Sequence, residues 1–215
     1  MKINSLQLSE VREIMSSGTG EWWDKDWTTG FFKTPAEGKV WLGYEGLEGD
    51  AQSDRKNHGG SDKAVCVYSA DHFSYWQSLL KDISGGAFGE NLTISGMTEE
   101  DINVGDVYEV GEALVEVSQP RQPCWKLARR WRIKDLTAQV EKTGYTGFYF
   151  RVLRNGYIQA GDDFRLIEKG EFSIAYCNQI FHHERKNLEA AEELASYRQL
   201  SASWKDSLMK RVRKA

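Results

Sequence analysis

Cys124 is the residue of this chain best placed to do chemistry. It ends the run Val117-Ser118-Gln119-Pro120-Arg121-Gln122-Pro123-Cys124 and is followed by Trp125-Lys126-Leu127. Two of the chain's three prolines lie in this run. Proline fixes φ and removes a donor, so the backbone leading to the thiol is held rather than loose. Arg121 and Lys126 flank the cysteine, which stands just before a predicted helical turn over 125–131. Positive neighbours and a helix N-terminus both favour thiolate over thiol. A thiolate is a nucleophile and a soft metal ligand. The competing reading is a buried small hydrophobe, the usual fate of free cysteine. That reading is the weaker one for Cys124. It is the stronger one for Cys66, inside an apolar β run, and for Cys177, on a helical stripe.

Other stretches carry polar groups on tight backbone. Gly46-Leu47-Glu48-Gly49-Asp50 and Asn57-His58-Gly59-Gly60-Ser61-Asp62-Lys63 are rich in glycine. Such turns can aim successive N–H groups at one point and so cradle an anion. His58 and Lys63 add positive charge there, although glycine turns between strands are common and a lone histidine is more often packed than a ligand. The spacing is not that of a P-loop, which argues against a nucleoside triphosphatase. In Trp27-Thr28-Thr29-Gly30-Phe31-Phe32-Lys33-Thr34-Pro35, aromatics and a lysine suit a planar, phosphorylated ligand as well as they suit a loop packed over a barrel mouth. In Gly86-Ala87-Phe88-Gly89-Glu90-Asn91-Leu92, Asn91 either meets the edge of such a ligand or completes a turn.

The elements that must position these residues are mostly strands. Val40-Trp41-Leu42-Gly43, Ala64 to Tyr68, Asn91 to Ile94, Phe148 to Leu153 and Phe164 to Ile167 have strand length and composition. Val107 to Val110 and Leu114 to Val117 flank Gly111-Glu112-Ala113 as a hairpin. Short strands with glycine punctuation predict a closed or nearly closed barrel, which hides sheet edges. Ser69-Ala70-Asp71 is placed to cap a helix running to about Lys81. Near Lys169-Gly170 the pattern changes. Glycine and proline vanish, and Ile174, Cys177, Ile180 and Phe181, then Leu188, Ala191, Leu194 and Ala195, then Trp204, Leu208 and Val212 recur at helical spacing. The expected organisation is a mainly β barrel with a few helices over 1–168 and a three-helix bundle over 169–215.

The 215 residues, 40% hydrophobic and 28% charged, form a globular composition long enough for a sizeable core. A net charge of −4 argues against a general nucleic-acid surface. No apolar run spans a membrane and no signal-peptide pattern opens the chain, so a cytoplasmic location is the default expectation. Three widely spaced cysteines form neither a disulfide framework nor a CxxC zinc pattern. The basic end, Lys210-Arg211-Val212-Arg213-Lys214, reads as a solvated helix terminus.

From about Thr28 to Glu168 the chain resembles the MOSC family, named for the C-terminal domain of molybdenum cofactor sulfurase, and its YiiM-type subfamily in particular. The likeness rests on Phe-Lys-Thr-Pro at 32–35, Gly-Leu-Glu-Gly-Asp at 46–50, His-Gly-Gly-Ser-Asp-Lys at 58–63, Phe-Gly-Glu-Asn-Leu at 88–92, Gly105-Asp106 and the Gln-Pro-Arg-x-Pro-Cys run ending at Cys124. Ser61 stands where the pattern has proline. The helical tail resembles the three-helix extension of that subfamily. The resemblance implies a β-barrel that binds a pyranopterin molybdenum cofactor, with Cys124 as both metal ligand and catalytic residue. Lys33, His58, Gly59, Gly60, Asn91, Arg121 and Lys126 are the expected cofactor-binding residues. It also implies reduction of small N-hydroxylated substrates such as 6-hydroxylaminopurine, with electrons from a separate reductase. A homodimer is left open, and neither stable nucleic-acid binding nor membrane insertion is expected. The alternative from another class is a sulfur carrier or cofactor-handling protein with a persulfide on Cys124.

Overall fold

A computed structural model describes residues 1–54 and 59–214. Its main sheet has eight strands: β1 (Lys2–Leu8), β2 (Thr34–Pro35), β3 (Val65–Ser69), β4 (Leu92–Ser95), β5 (Val107–Val110), β6 (Ala113–Pro120), β7 (Phe148–Arg154) and β8 (Phe164–Glu168). Their spatial order is β8-β5-β6-β7-β3-β4-β1-β2. All neighbours are antiparallel except β3 and β4, which run parallel. The sheet curls into a half-barrel. Its far parts meet where Lys2 bridges Asp163 and the Phe164 N–H donates to the Met1 carbonyl at 3.0 Å.

Most expected strands are present. The hairpin is tighter than expected: Val110 pairs with Ala113, leaving only Gly111-Glu112 in the turn, with Gly111 at φ +54°. Strand β1 was not legible in the sequence. A bulge between Ile3 and Ser5 breaks its alternation, so Leu6 rather than Ser5 joins the core. The helix expected over 70–81 is also shorter. Ser69 does cap it, accepting from the Asp71 N–H, but a 3-10 turn at Ala70–His72 leads into α1 (Phe73–Trp76) and regular helix stops there.

Helix α2 (Trp125–Trp131) has the expected bounds and is followed by α3 (Leu136–Thr143). The tail folds as α4 (Ile174–Asn178), a π-turn at Gln179–His183, α5 (Leu188–Ser196) and α6 (Ala202–Val212). The barrel core and the tail core are continuous: Val104, Val117 and Phe150 belong to one buried cluster with Cys177, Leu194, Trp204 and Leu208. A second cluster of Phe31, Tyr68, Trp76, Phe88, Leu127, Leu136 and Val140 lies under the β3–β4 crossover and holds α2 and α3. Among the described residues no helix is long and apolar enough to cross a membrane.

Candidate functional site

One cleft gathers the chemistry. It lies where the exit of β6, the entry to β4 and the segment after Trp27 meet. Lys33, Asn91, Arg121, Cys124 and Lys126 line it, together with Thr29, Asp50, Ser53, Lys63, Cys66 and Tyr149. Its interior offers about 80 Å³, several times what a single water needs.

Cys124 is half-buried and occupies the N-cap position of α2. Its backbone carbonyl accepts from the Leu127 N–H at 3.0 Å and from Thr137 Oγ1 at 3.3 Å, but its side chain makes no capping bond. The thiol is therefore left to face the cleft.

Arg121 is 5% exposed. Its backbone N–H donates to the Gly147 carbonyl at 2.9 Å, Nη2 to the Phe88 carbonyl at 2.6 Å and Nη1 to the Thr146 carbonyl at 3.5 Å. Among the described residues no carboxylate reaches it at ion-pair distance. Burial works against its charge. The acidic groups around it, Cys66, Tyr149, Cys124 and Glu90, favour that charge as they ionise, and the guanidinium pKa is raised. Lys126 is also buried. Its ammonium donates to the Thr28 carbonyl at 3.0 Å and to Ser53 Oγ at 2.5 Å, pinning the short Trp27–Thr29 strand and the Ser53 loop to α2.

Lys33 and Asn91 reach the cleft in a different state from the one expected. Lys33 is not at the mouth. It is buried in the wall, 2.5 Å from Asp50, with the two side chains 6% and 5% exposed. Asn91 spends both amide hydrogens inside the protein, on Asp50 Oδ2 at 2.9 Å and the Gln7 carbonyl at 3.3 Å. Its Oδ1 accepts from the Cys66 N–H at 3.2 Å. Asn91 thus ties β1, β3 and the Asp50 loop together. His58 lies outside the described residues. Gly60 adopts φ +93° and caps the 3-10 turn at Ser61–Lys63. Lys63 lines the cleft, but neither Gly59 nor Gly60 is among the described residues that do.

Sequence reasoning missed Cys66 and Tyr149. Cys66 is buried, but it faces the cleft, paired with Tyr149 across the β3–β7 ladder. Burial pushes its thiol up to about 11, against the pull of Arg121, so it stays protonated near neutrality. Burial likewise drives the Tyr149 phenol far above its usual range. The available signal was parity. Cys66 must face away from Val65 and Val67, which fill the core. Because β3 is buried on both faces, hydropathy alone does not tell cleft from core.

The chain matches the MOSC domain over residues 54–165 and the YiiM-like, 3-alpha helix domain over 173–215. It is 50% identical over 186 residues to the Bacillus subtilis protein YflK, covering 85% of this chain and 84% of that one. The crystal structure of YiiM from Geobacillus stearothermophilus superposes with a TM-score of 0.82 at 40% identity, covering 98% of each chain. A protein of Gibberella moniliformis named Reductase is 36% identical over 149 residues, which is 66% of this chain but only 26% of that protein. Two consecutive domain matches, an overall superposition and this level of identity agree: the chain belongs to the MOSC family, in its YiiM-like branch.

Proposed function

We propose that the cleft holds a pyranopterin molybdenum cofactor, with Cys124 as the protein ligand to the metal, and that the protein reduces N-hydroxylated compounds such as 6-hydroxylaminopurine. The MOSC family is associated with that cofactor, and a related protein carries the name Reductase. The observation that carries the reading is Arg121. It is a buried guanidinium with no carboxylate at ion-pair distance among the described residues, which suits it to an arriving anion, and it lies in the same cleft wall as the Cys124 thiol.

The residues fit the group. Among the described residues no three His, Cys, Asp or Glu side chains converge to hold a metal ion. A metal at Cys124 would have to bring most of its ligands with it, as one carried by a pterin dithiolene does. Arg121, Lys63 and Lys126 face the same space and suit its anionic parts. Lys33 contributes less charge than expected, because Asp50 already neutralises it.

When bound, the cofactor supplies a two-electron redox centre. Conversion of R–NHOH to R–NH2 consumes two electrons and two protons and releases water, with the electrons drawn from an external reductase. In this chain, Arg121 balances negative charge beside Cys124, and Lys126 holds the 28–53 wall against α2. Tyr149 and Cys66 keep their protons and present a neutral surface.

The test is metal and pterin analysis of purified protein beside Cys124→Ser. The wild type retains about one molybdenum per chain and the variant loses it, because serine stays protonated and is a poor anionic ligand. A variant that keeps metal and turnover defeats the reading. The second thiol, Cys66, in the same cleft is what favours the sulfur-carrier alternative. Sulfane sulfur on Cys124 in molybdenum-free protein would establish it.

A further inference from the structure

The outer side of the same wall carries a feature that cofactor binding does not use. Residues 127–134 hold Arg129, Arg130, Arg132 and Lys134 and no Asp or Glu, in a chain of net charge −4. The three guanidiniums lie on aromatic faces. Arg129 sits 5.4 Å from the Trp27 ring and 4.8 Å from Trp125. Arg130 is 4.8 Å from Phe32 and 5.0 Å from Trp131, and Arg132 is 3.8 Å from Trp23. Ring stacking orients a guanidinium without neutralising it. Among the described residues none of the three has a carboxylate at ion-pair distance. Asp24 and Asp26, which follow Trp22 and Trp23 in the chain, keep their charge and accept from the N–H groups of Ser17, Thr19 and Ser16.

Beside these cations Trp125 is 54% exposed and Trp22 38%. Exposed indole with oriented arginine is the composition of a protein-binding surface rather than of an idle one. Its position is specific. Trp125 directly follows Cys124, and Trp27 packs against Trp125 at a tilt, 5.5 Å between centroids, just before the cleft residues Thr29, Gly30 and Phe31. A partner seated here comes within a residue or two of the thiol.

We propose that this face docks an acidic electron-transfer protein, which delivers electrons to the cleft from the α2 side. The inference rests on the reductase reading for the partner's role, and on charge and composition for the surface. A nucleic acid is the less favoured occupant, because the charge is confined to one short helix and the turn after it, in an acidic chain. Charge complementarity of this kind acts mainly on encounter and specificity.

The experiment uses holoprotein, its Arg129→Glu/Arg132→Glu double variant and Trp125→Ala. The probe is a plant-type ferredoxin, an acidic one-electron donor that meets the stoichiometry in two encounters. Binding is measured at low and high salt. Turnover of 6-hydroxylaminopurine is measured with reduced ferredoxin and, separately, with reduced methyl viologen, which needs no docking face. Ferredoxin should bind the wild type, roughly tenfold more weakly at high salt and in the charge-reversed variant. Viologen-driven turnover should stay within about twofold in all three proteins. No ferredoxin binding by the wild type, or equal binding by the variants, overturns the proposal. So does tighter binding of a single-stranded oligonucleotide than of ferredoxin, lost in the same double variant. If the wild type fails with viologen, the reductase reading falls, while the binding measurements still decide the face.

Discussion

The three cysteines of this protein differ only in what surrounds them, and that difference is testable. Cys124 faces the cleft with no protein hydrogen bond to its side chain among those described, so serine there should change packing little. We expect Cys124→Ser to melt within about 1 kcal/mol of wild type while losing metal. Cys177 is fully buried in the continuous core, and burial pushes its thiol up to about 12 against the pull of a backbone hydrogen bond. A hydroxyl there has no partner of equal quality, so Cys177→Ser should cost about 1–3 kcal/mol with turnover per folded molecule unchanged. Cys66 is intermediate. Tyr149 offers a hydroxyl a partner, so Cys66→Ser should cost less than Cys177→Ser yet alter the cleft that Cys124 shares. Thermal melts and molybdenum content across the three variants check this ordering. Equal loss of metal in all three would show that stability, not ligation, controls retention.

At the scale of elements, the cleft depends on turns with little room. Gly147 adopts φ +72°, and a Cβ there would lie 2.2 Å from the Val67 carbonyl oxygen. Its N–H donates to Glu99 Oε1 at 2.7 Å, and the other carboxylate oxygen of Glu99 meets His72 Nε2 at 2.5 Å. Its carbonyl receives the Arg121 N–H. Gly147→Ala should therefore lower stability by roughly 2 kcal/mol or more and loosen Arg121, seen as a lower melting temperature together with reduced cofactor retention. In the tail, the π-turn half-buries His182, with Nε2 shielded from solvent and unpaired among the described residues. Burial first, then the charges of His183, Arg185 and Arg211, press its pKa from 6.5 down to about 4. The fold thus prefers the neutral ring. Above about pH 6.5 this contribution is fully present, and it is lost as pH falls towards about 4, where the folded form also protonates. His182→Phe should flatten the stability profile over that window in denaturant titrations, and an unchanged slope would show that His182 is not its source.

At the scale of the whole molecule, barrel and tail share one core. The Ser201 N–H donates to the Ser118 carbonyl on β6 at 2.9 Å, and the Trp204 ring is buried against Phe181 at 4.4 Å between centroids. Trp204→Ala should cost about 3–5 kcal/mol. Because the buried cluster runs from Val117 through Cys177 to Leu208, the melt should stay a single transition. Two resolved transitions in calorimetry would show that the tail unfolds on its own.

Local chemistry wrote much of this into the chain. Proline and glycine punctuation marked the strand ends, the 3.6-residue spacing of Leu188, Ala191 and Leu194 marked a tail helix, and Pro120, Pro123 and Cys124 marked a stiff approach to α2. Those signals are short-range, and a residue's neighbours in sequence carry them. Pairing partners are not short-range. That Asp50 would neutralise Lys33, that Asn91 would spend its amide on Asp50 and Gln7, and that Cys66 would turn towards Cys124 depend on chain brought together across 17 to 84 residues. The bulge in β1 hid a strand of the main sheet by breaking the very alternation that reveals strands. Sequence therefore determined which residues had the chemistry. Only the tertiary structure decided which of them kept an unpaired charge or a free thiol, because neutralisation and burial belong to contacts between distant segments.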